Sequence, residues 1–186
     1  MFDIISQLFD SYVSVYKEEV FPIFQKQINQ QEENIASRKN FTGHVIADGC
    51  VIDPRSQKVL MIYHKTLQQW FHPGGHIESK DAHPVEAAIR EVLEETGVQP
   101  VPILDNEGNP LLLHIDSHII PASEQKKEPE HWHHDMTFLF VADSTIPLSQ
   151  IDDSGVQMCE WQDIFAAHDN PRYHLLGSKI EIQFSH

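Results

Sequence analysis

"FHPGGHIESKDAHPVEAAIREVLEETGV", Phe71 to Val98, holds a glycine pair, a proline, a run of helix formers and a set of acids closed by Gly97. Pro84 suits the first turn of a helix, where its missing N–H would have had no partner. His83 or Asp81 stands where a cap belongs, and Gly97 where a left-handed C-cap belongs. The stretch reads as a tight turn and then a helix over about 83–96. Val85, Ala88, Ile89, Val92 and Thr96 share one face of that helix, and Ala87 and Ala88 are small enough to let it lie close on a sheet.

Glu91, Glu94 and Glu95 stand at i, i+3 and i+4, so they form one patch beside the apolar stripe. Like charges at this spacing repel by roughly a few tenths of a kcal/mol per pair. They also crowd toward the C-terminal end, where the macrodipole disfavours anions. A divalent cation reverses the sign, because hard cations take several carboxylate oxygens. Arg90 lies four residues before Glu94 and can hold that carboxylate in position. A solvated acidic face is the simpler reading of the three glutamates alone. The flanking "PGG" turn, where backbone carbonyls can approach a ligand, weighs toward a site.

Outward from the helix, the chain divides in two. Residues 1–40 read as a helical extension: Ile5, Leu8, Phe9, Tyr12 and Tyr16 fall on one face, and "FQKQINQQEENIASRK" continues as a polar helix after Pro22. Packing on the main domain or on a second copy is expected of it, so a homodimer fits. Residues 41–186 alternate strands with helices: "HVIADGCVID" and "KVLMIYH" as a hairpin, "QQWFHPGG", "LLLHIDSHII", "HHDMTFLFVA" and "SGVQMCEW" as strands, then "WQDIFAAH" and "PRYHLLGSKI" as helices. An α/β fold with a mixed sheet and helices packed on it follows.

The 186 residues carry 13 Lys+Arg against 28 Asp+Glu, a formal charge of −15. Such a surface repels nucleic acid and anionic membranes, so neither is expected as a partner. The N-terminus has no basic segment, no apolar run approaches membrane-spanning length, and a cytoplasmic protein is expected. Cys50 and Cys159 sit in strand-like apolar runs without CxxC spacing, and read as two buried thiols of a reducing compartment.

Gly74, Gly75, Glu78, Arg90, Glu91, Glu94, Glu95 and Gly97 resemble the Nudix box, the signature of Nudix hydrolases. That pattern is Gly, five residues, Glu, seven residues, then Arg-Glu-aliphatic-any-Glu-Glu-any-Gly-aliphatic. "REVLEETGV", Arg90 to Val98, matches its second half fully. Asp81 stands where the pattern has its first Glu, and eight residues rather than seven separate it from Arg90. The extra residue falls at or before the first helical turn and leaves the glutamate face intact. "GHVIADGCVID", "IDSHIIP" and "HWHHDMTFLF" extend the resemblance to a branch with a helical N-terminal extension.

The resemblance implies a Nudix-type α/β/α sandwich. It implies hydrolysis of a diphosphate linkage in a nucleoside diphosphate derivative or related small molecule. It implies Mg²⁺ or Mn²⁺ held by Glu91, Glu94 and Glu95, with the Gly75 carbonyl, and Arg90 beside them. Relatives add an acid from outside the box; Asp153 and Glu160 are the candidates. Two other readings stay open: a catalytically silent binding module for a nucleotide or protein, which would be expected to lose the glutamates, and a prenyl diphosphate isomerase, which would need a cysteine near the glycine turn that "FHPGGHIE" lacks.

Strand alternation aims His131, His133 and Asp135 one way, and does the same for Asp116 and His118. If those strands pair, the five residues form a polar cluster that contacts substrate or a second metal. Ordinary surface histidines are the alternative. Lys65 in "YHKT" could meet a phosphate or be merely solvated.

Overall fold

The computed structural model describes residues 1–17, 19–149, 155–168 and 173–184. The order is α1 (Phe2–Val15), α2 (Pro22–Asn29), β1 (Gly43–Asp53), β2 (Lys58–His64), β3 (Gln69–Phe71), β4 (Gly74–His76), α3 (Pro84–Thr96), β5 (Val101–Pro102), β6 (Leu112–Ile120), β7 (His131–Val141), β8 (Val156–Asp163), α4 (Ile164–His168) and α5 (His174–Phe184). The eight strands make one mixed sheet. β1 runs parallel to β7, and every other pairing is antiparallel. β1 divides its other edge between β4 and β2: Ile46–Asp48 pair with Gly74–His76, and Ile52–Asp53 with Lys58–Val59. The central strands are buried on both faces, which suits their β-branched and aromatic composition.

One face of the sheet carries α3. Val85, Ala87, Ala88 and Val92 pack there against Val45, Ala47, Val51 and Leu60. The approach is close: a Cβ on Gly49 would sit 2.5 Å from Val92 Cγ2. The opposite face holds a second cluster, in which Cys50, Ile52, Met61, Leu113 and Leu139 meet Tyr173, Leu176 and Ile180 of the C-terminal segment. Helices on both faces make the sandwich. No described helix is long and apolar enough to cross a membrane.

The N-terminal segment shares the first core: Ile5, Phe9, Tyr12, Phe24 and Ile35 are buried in it. It is locked by polar contacts too. His134 stacks on Phe24 at 4.3 Å between centroids and donates to Gln27 Oε1 at 2.7 Å, while Gln27 Nε2 donates to the Gly43 carbonyl at 2.9 Å. At the other side Lys179 reaches Glu19 Oε1 at 2.7 Å and lies 3.9 Å from the Tyr16 ring centroid. The expected polar helix through residue 39 ends instead at Asn29; Gln31 turns to φ 53 and the chain proceeds in turns. Cys159 is only half-buried, because β8 pairs on one side alone.

Candidate functional site

α3 begins and ends as its sequence directs. The His83 ring accepts the Val85 N–H at 3.0 Å, so His83 rather than Asp81 is the cap. Gly97 closes the helix at φ 72, donating to Leu93 O at 2.9 Å, a conformation other residues adopt only with strain.

The three box glutamates then meet the β4 turn. Glu95 is buried, and its Oε2 accepts the Gly74 N–H at 3.0 Å. Glu91 lies so close to Gly75 that a Cβ there would come within 2.6 Å of the carboxyl carbon and push the carboxylate aside. Glu94 is more open than Glu91, its side chain 30% exposed against 14%.

Arg90 ties these groups together. Nη1 donates to Glu91 Oε1 at 2.7 Å and Glu94 Oε2 at 3.1 Å. Nη2 donates to the His76 carbonyl at 2.9 Å and Asp81 Oδ2 at 3.0 Å, and Nε donates to Asp81 Oδ1 at 3.2 Å. Burial opposes the guanidinium charge, but Asp81 and Glu91 outweigh it and hold its pKa far above the ordinary value. Burial likewise opposes the Asp81 charge, and the Arg90 hydrogen bonds outweigh it and pull that carboxyl below its usual range. Asp81 also takes the Glu78 N–H at 2.8 Å. Asp81 therefore braces Arg90, and the eight-residue spacing is absorbed in the turn before Pro84. Lys80 adds a looser contact, 3.8 Å from Glu94.

The donor set fits a hard divalent cation. Several carboxylate oxygens gather on a glycine turn, and the guanidinium of Arg90 is shared by two of them, Glu91 and Glu94.

Glu160 is not at this patch. Glu160 pairs with Met61, whose face is that of the second core, so pleating turns it to the far side of the sheet. The adjacent Cys159 faces Glu95: burial raises its thiol pKa and the Glu95 charge adds to the rise. Asp153 lies outside the described residues. Lys65 stands in the exposed turn after β2, bonded through its N–H to Gly155 O at 2.8 Å.

The histidines form a cluster on the face away from α3. His118 pairs with His133 and Asp116 with Asp135 across β6 and β7. His118 Nδ1 lies 3.1 Å from Asp116 Oδ2 and 3.8 Å from Asp135 Oδ2, and His131 Nε2 lies 3.2 Å from His133 Nε2. Two further imidazoles complete it. His44 pairs in register with His133, and His76 reaches it from β4, the two Nε2 atoms 3.1 Å apart. Burial, with neighbouring imidazoles adding, lowers His133 to about 2. Burial, with Arg38 and His44 adding, lowers His76 to about 4. Both rings are neutral near pH 7. Alternation in "GHVIADG" aimed His44 at one face, but only the parallel β1–β7 register puts it beside His133.

A mixed sheet between helices, with three glutamates of one helix gathered at a glycine turn, is the arrangement that these elements define. The NUDIX domain family model matches residues 43–176, and the chain belongs to the Nudix family. Two solved structures share the fold. A hydrolase of the NUDIX family from Clostridium perfringens is 21% identical, with a TM-score of 0.54 over 75% of this chain and 97% of that one. The NUDIX domain of Shewanella oneidensis NrtR, solved with ADP ribose, is 15% identical, with a TM-score of 0.53 over 83% of this chain and 98% of that one. The sequence matches no curated protein.

Proposed function

We propose that the protein is a metal-dependent pyrophosphohydrolase that cleaves a diphosphate linkage in a nucleoside diphosphate derivative or related small molecule. The observation that carries this reading is the grouping of Glu91, Glu94 and Glu95 around the Gly74–Gly75 turn, with Arg90 holding two of the carboxylates. Nudix membership supports pyrophosphohydrolase activity at the level of the family.

Glu91, Glu94 and Glu95, with the Gly75 carbonyl, would hold Mg²⁺ or Mn²⁺. When bound, the cation neutralises diphosphate oxygens and lowers the pKa of an attacking water. Arg90 orients Glu91 and Glu94 and fixes the β4 carbonyl at His76, so the carboxylates meet substrate in a set arrangement. Glu95 clamps the turn through the Gly74 N–H. Glu94, more open than Glu91, would take a proton from water. His118, Asp116 and Asp135 lie along β6 and β7 on the sheet face away from α3.

The test is a product assay for released phosphomonoesters across nucleoside triphosphates, sugar nucleotides, dinucleotides and ADP-ribose, with Mg²⁺ and with Mn²⁺. Release that depends on metal and is lost in Glu94→Gln supports the reading. Binding of nucleotides without any turnover favours the silent module.

A further inference from the structure

Three neighbouring strands raise an imidazole to the same face of the sheet. His44 on β1 is the register partner of His133 on β7, and His76 on β4 pairs with Ile46, one pleat along from His44. One ring nitrogen from each of the three lies within 4.8 Å of the others. The His44 and His76 Nε2 atoms are 3.1 Å apart. Bonds of about 2.0–2.1 Å at tetrahedral angles would put neighbouring ligand nitrogens about 3.3 Å apart. His44 and His76 are therefore already spaced nearly as a metal would space them, and His133 lies within 4.8 Å of both.

The orientation of His44 is fixed from behind. Its Nδ1 lies 3.2 Å from the Asn40 carbonyl, which can only accept, so Nδ1 carries the proton and Nε2 keeps its lone pair toward the cluster. A backbone carbonyl on the second ring nitrogen is the usual arrangement of a metal-binding histidine. His131 is held in the same way, its Nδ1 donating to Pro129 O at 2.7 Å while Nε2 faces His133. His44 is buried and its ring lies against those of His131 and His133, at 5.1 and 4.6 Å between centroids.

We propose that His44, His76 and His133 form a binding site for a divalent transition-metal ion of the zinc class, separate from the carboxylate patch. An all-imidazole set suits Zn²⁺, Co²⁺ or Ni²⁺ and has little to offer Mg²⁺, which prefers oxygen. Three protein nitrogens leave a fourth position for water or a ligand oxygen. The two sites are neighbours through one residue: Arg90 takes the His76 carbonyl, while the His76 ring turns to His44. A second grouping, His118, His133 and Asp135, shares His133, so one ion at His133 uses one grouping or the other. The three-imidazole set is the one in which two ring nitrogens, His44 and His76 Nε2, already stand 3.1 Å apart. The site does not depend on the hydrolase reading. The competing account is a pair of neutral imidazole–imidazole hydrogen bonds, His76 to His44 and His133 to His131, that needs no ion.

The full-length protein, freed of metal by chelation and dialysis, is titrated with Zn²⁺ against a chelating dye and with Co²⁺ by visible absorption. One equivalent of Zn²⁺ should bind in the presence of millimolar Mg²⁺, and Co²⁺ should give the intense visible bands of a tetrahedral nitrogen site. His44→Gln, His76→Gln and His133→Gln should each weaken Zn²⁺ at least about tenfold. Glu94→Gln and His118→Gln should leave it unchanged. Circular dichroism identifies any variant that fails to fold, and the wild-type Co²⁺ spectrum stands without the variants. Zn²⁺ displaced by Mg²⁺, or lost in Glu94→Gln but kept in the histidine variants, would assign it to the glutamates and overturn the proposal. Loss in His118→Gln with His44→Gln and His76→Gln unaffected would overturn the choice of ligands. No binding in the wild type would leave the hydrogen-bonded account standing.

Discussion

Asp81 and Arg90 form a two-pronged pair, Oδ1 to Nε at 3.2 Å and Oδ2 to Nη2 at 3.0 Å, with both side chains nearly closed to solvent. A shorter acid and one extra residue in the turn thus reach the same guanidinium that a longer acid would. Asp81→Asn should cost about 1.5–3 kcal/mol, the range of a hydrogen bond to a charged group, because Arg90 keeps Glu91 and Glu94 as partners. Turnover should fall with stability, since the freed guanidinium draws harder on the two glutamates. Thermal melting and steady-state kinetics of the variant check both, and unchanged values for both would remove the bracing role of Asp81.

Glu94 and Glu95 should respond differently to loss of charge. Glu94→Gln removes like-charge repulsion from a half-open position, so the metal-free protein should melt at the same temperature or slightly higher, while turnover drops by orders of magnitude. Glu95→Gln also loses activity, but it weakens the charged hydrogen bond to the Gly74 N–H and should lower the melting temperature. Parallel melting curves with chelator present distinguish the two; a shared rise would mean that the Glu95 clamp contributes nothing.

Asp53 sets an acid limb of stability far from the glutamates. Its Oδ2 accepts from the Ser144 hydroxyl at 2.6 Å, the Ser56 hydroxyl at 2.8 Å and the Ser144 N–H at 3.1 Å. The Ser144 hydroxyl, then the Ser56 hydroxyl and the backbone N–H groups, hold this carboxyl well below its usual range against the effect of burial. The folded state therefore binds this proton less readily than the unfolded chain, whose Asp titrates near about 3.9. The contribution is full above that value and is lost as pH falls through it toward the lower folded pKa. Asp53→Asn should cost about 1–3 kcal/mol at pH 7 and flatten the decline between pH 5 and pH 3. Chemical denaturation across that range, wild type against variant, measures it.

Lys179 joins the C-terminal helix to α1 through Tyr12 and to the segment after α1 through Glu19, and also lies 3.2 Å from His114 Nδ1. Lys179→Met and Glu19→Gln should each destabilise by about 1–3 kcal/mol. The double variant should lose less than their sum, because each single change leaves the other partner unmatched in a partly closed site. Additive losses in the cycle would show that the pair is not coupled.

The sequence made α3 legible because every local signal there agrees: Pro84, His83, the apolar stripe and Gly97 all mark the same helix. The same holds for β1, β2, β6, β7 and β8, whose apolar runs are bounded by turns, whereas the Gly74–His76 turn is a strand only through its pairing with β1. The first helix was legible too, with Ile5, Phe9 and Tyr12 buried as their spacing indicates. Its continuation was not. Polar residues of fair helix propensity follow Asn29, yet Gln27 is drawn to Gly43 O and Glu32, and Asn40 also bonds Glu32, so side-chain contacts to the sheet and turns replace further helix. In the site, the glutamate patch follows from spacing on one helix. The role of Asp81 and the entry of His44 and His76 into the histidine cluster depend on a turn conformation and on pairing between distant strands. Alternation shows which face a residue takes on its own strand, but not which strand lies beside it.

The measurement closest to the central claim is metal-dependent release of phosphomonoester products by the wild type and by Glu94→Gln under the same conditions. The account predicts that at least one nucleoside diphosphate derivative is cleaved with Mg²⁺ or Mn²⁺, that chelation stops it, and that Glu94→Gln retains its fold and nucleotide binding with turnover reduced by orders of magnitude. Full cleavage by Glu94→Gln and Glu95→Gln alike, or cleavage indifferent to chelation, would contradict it.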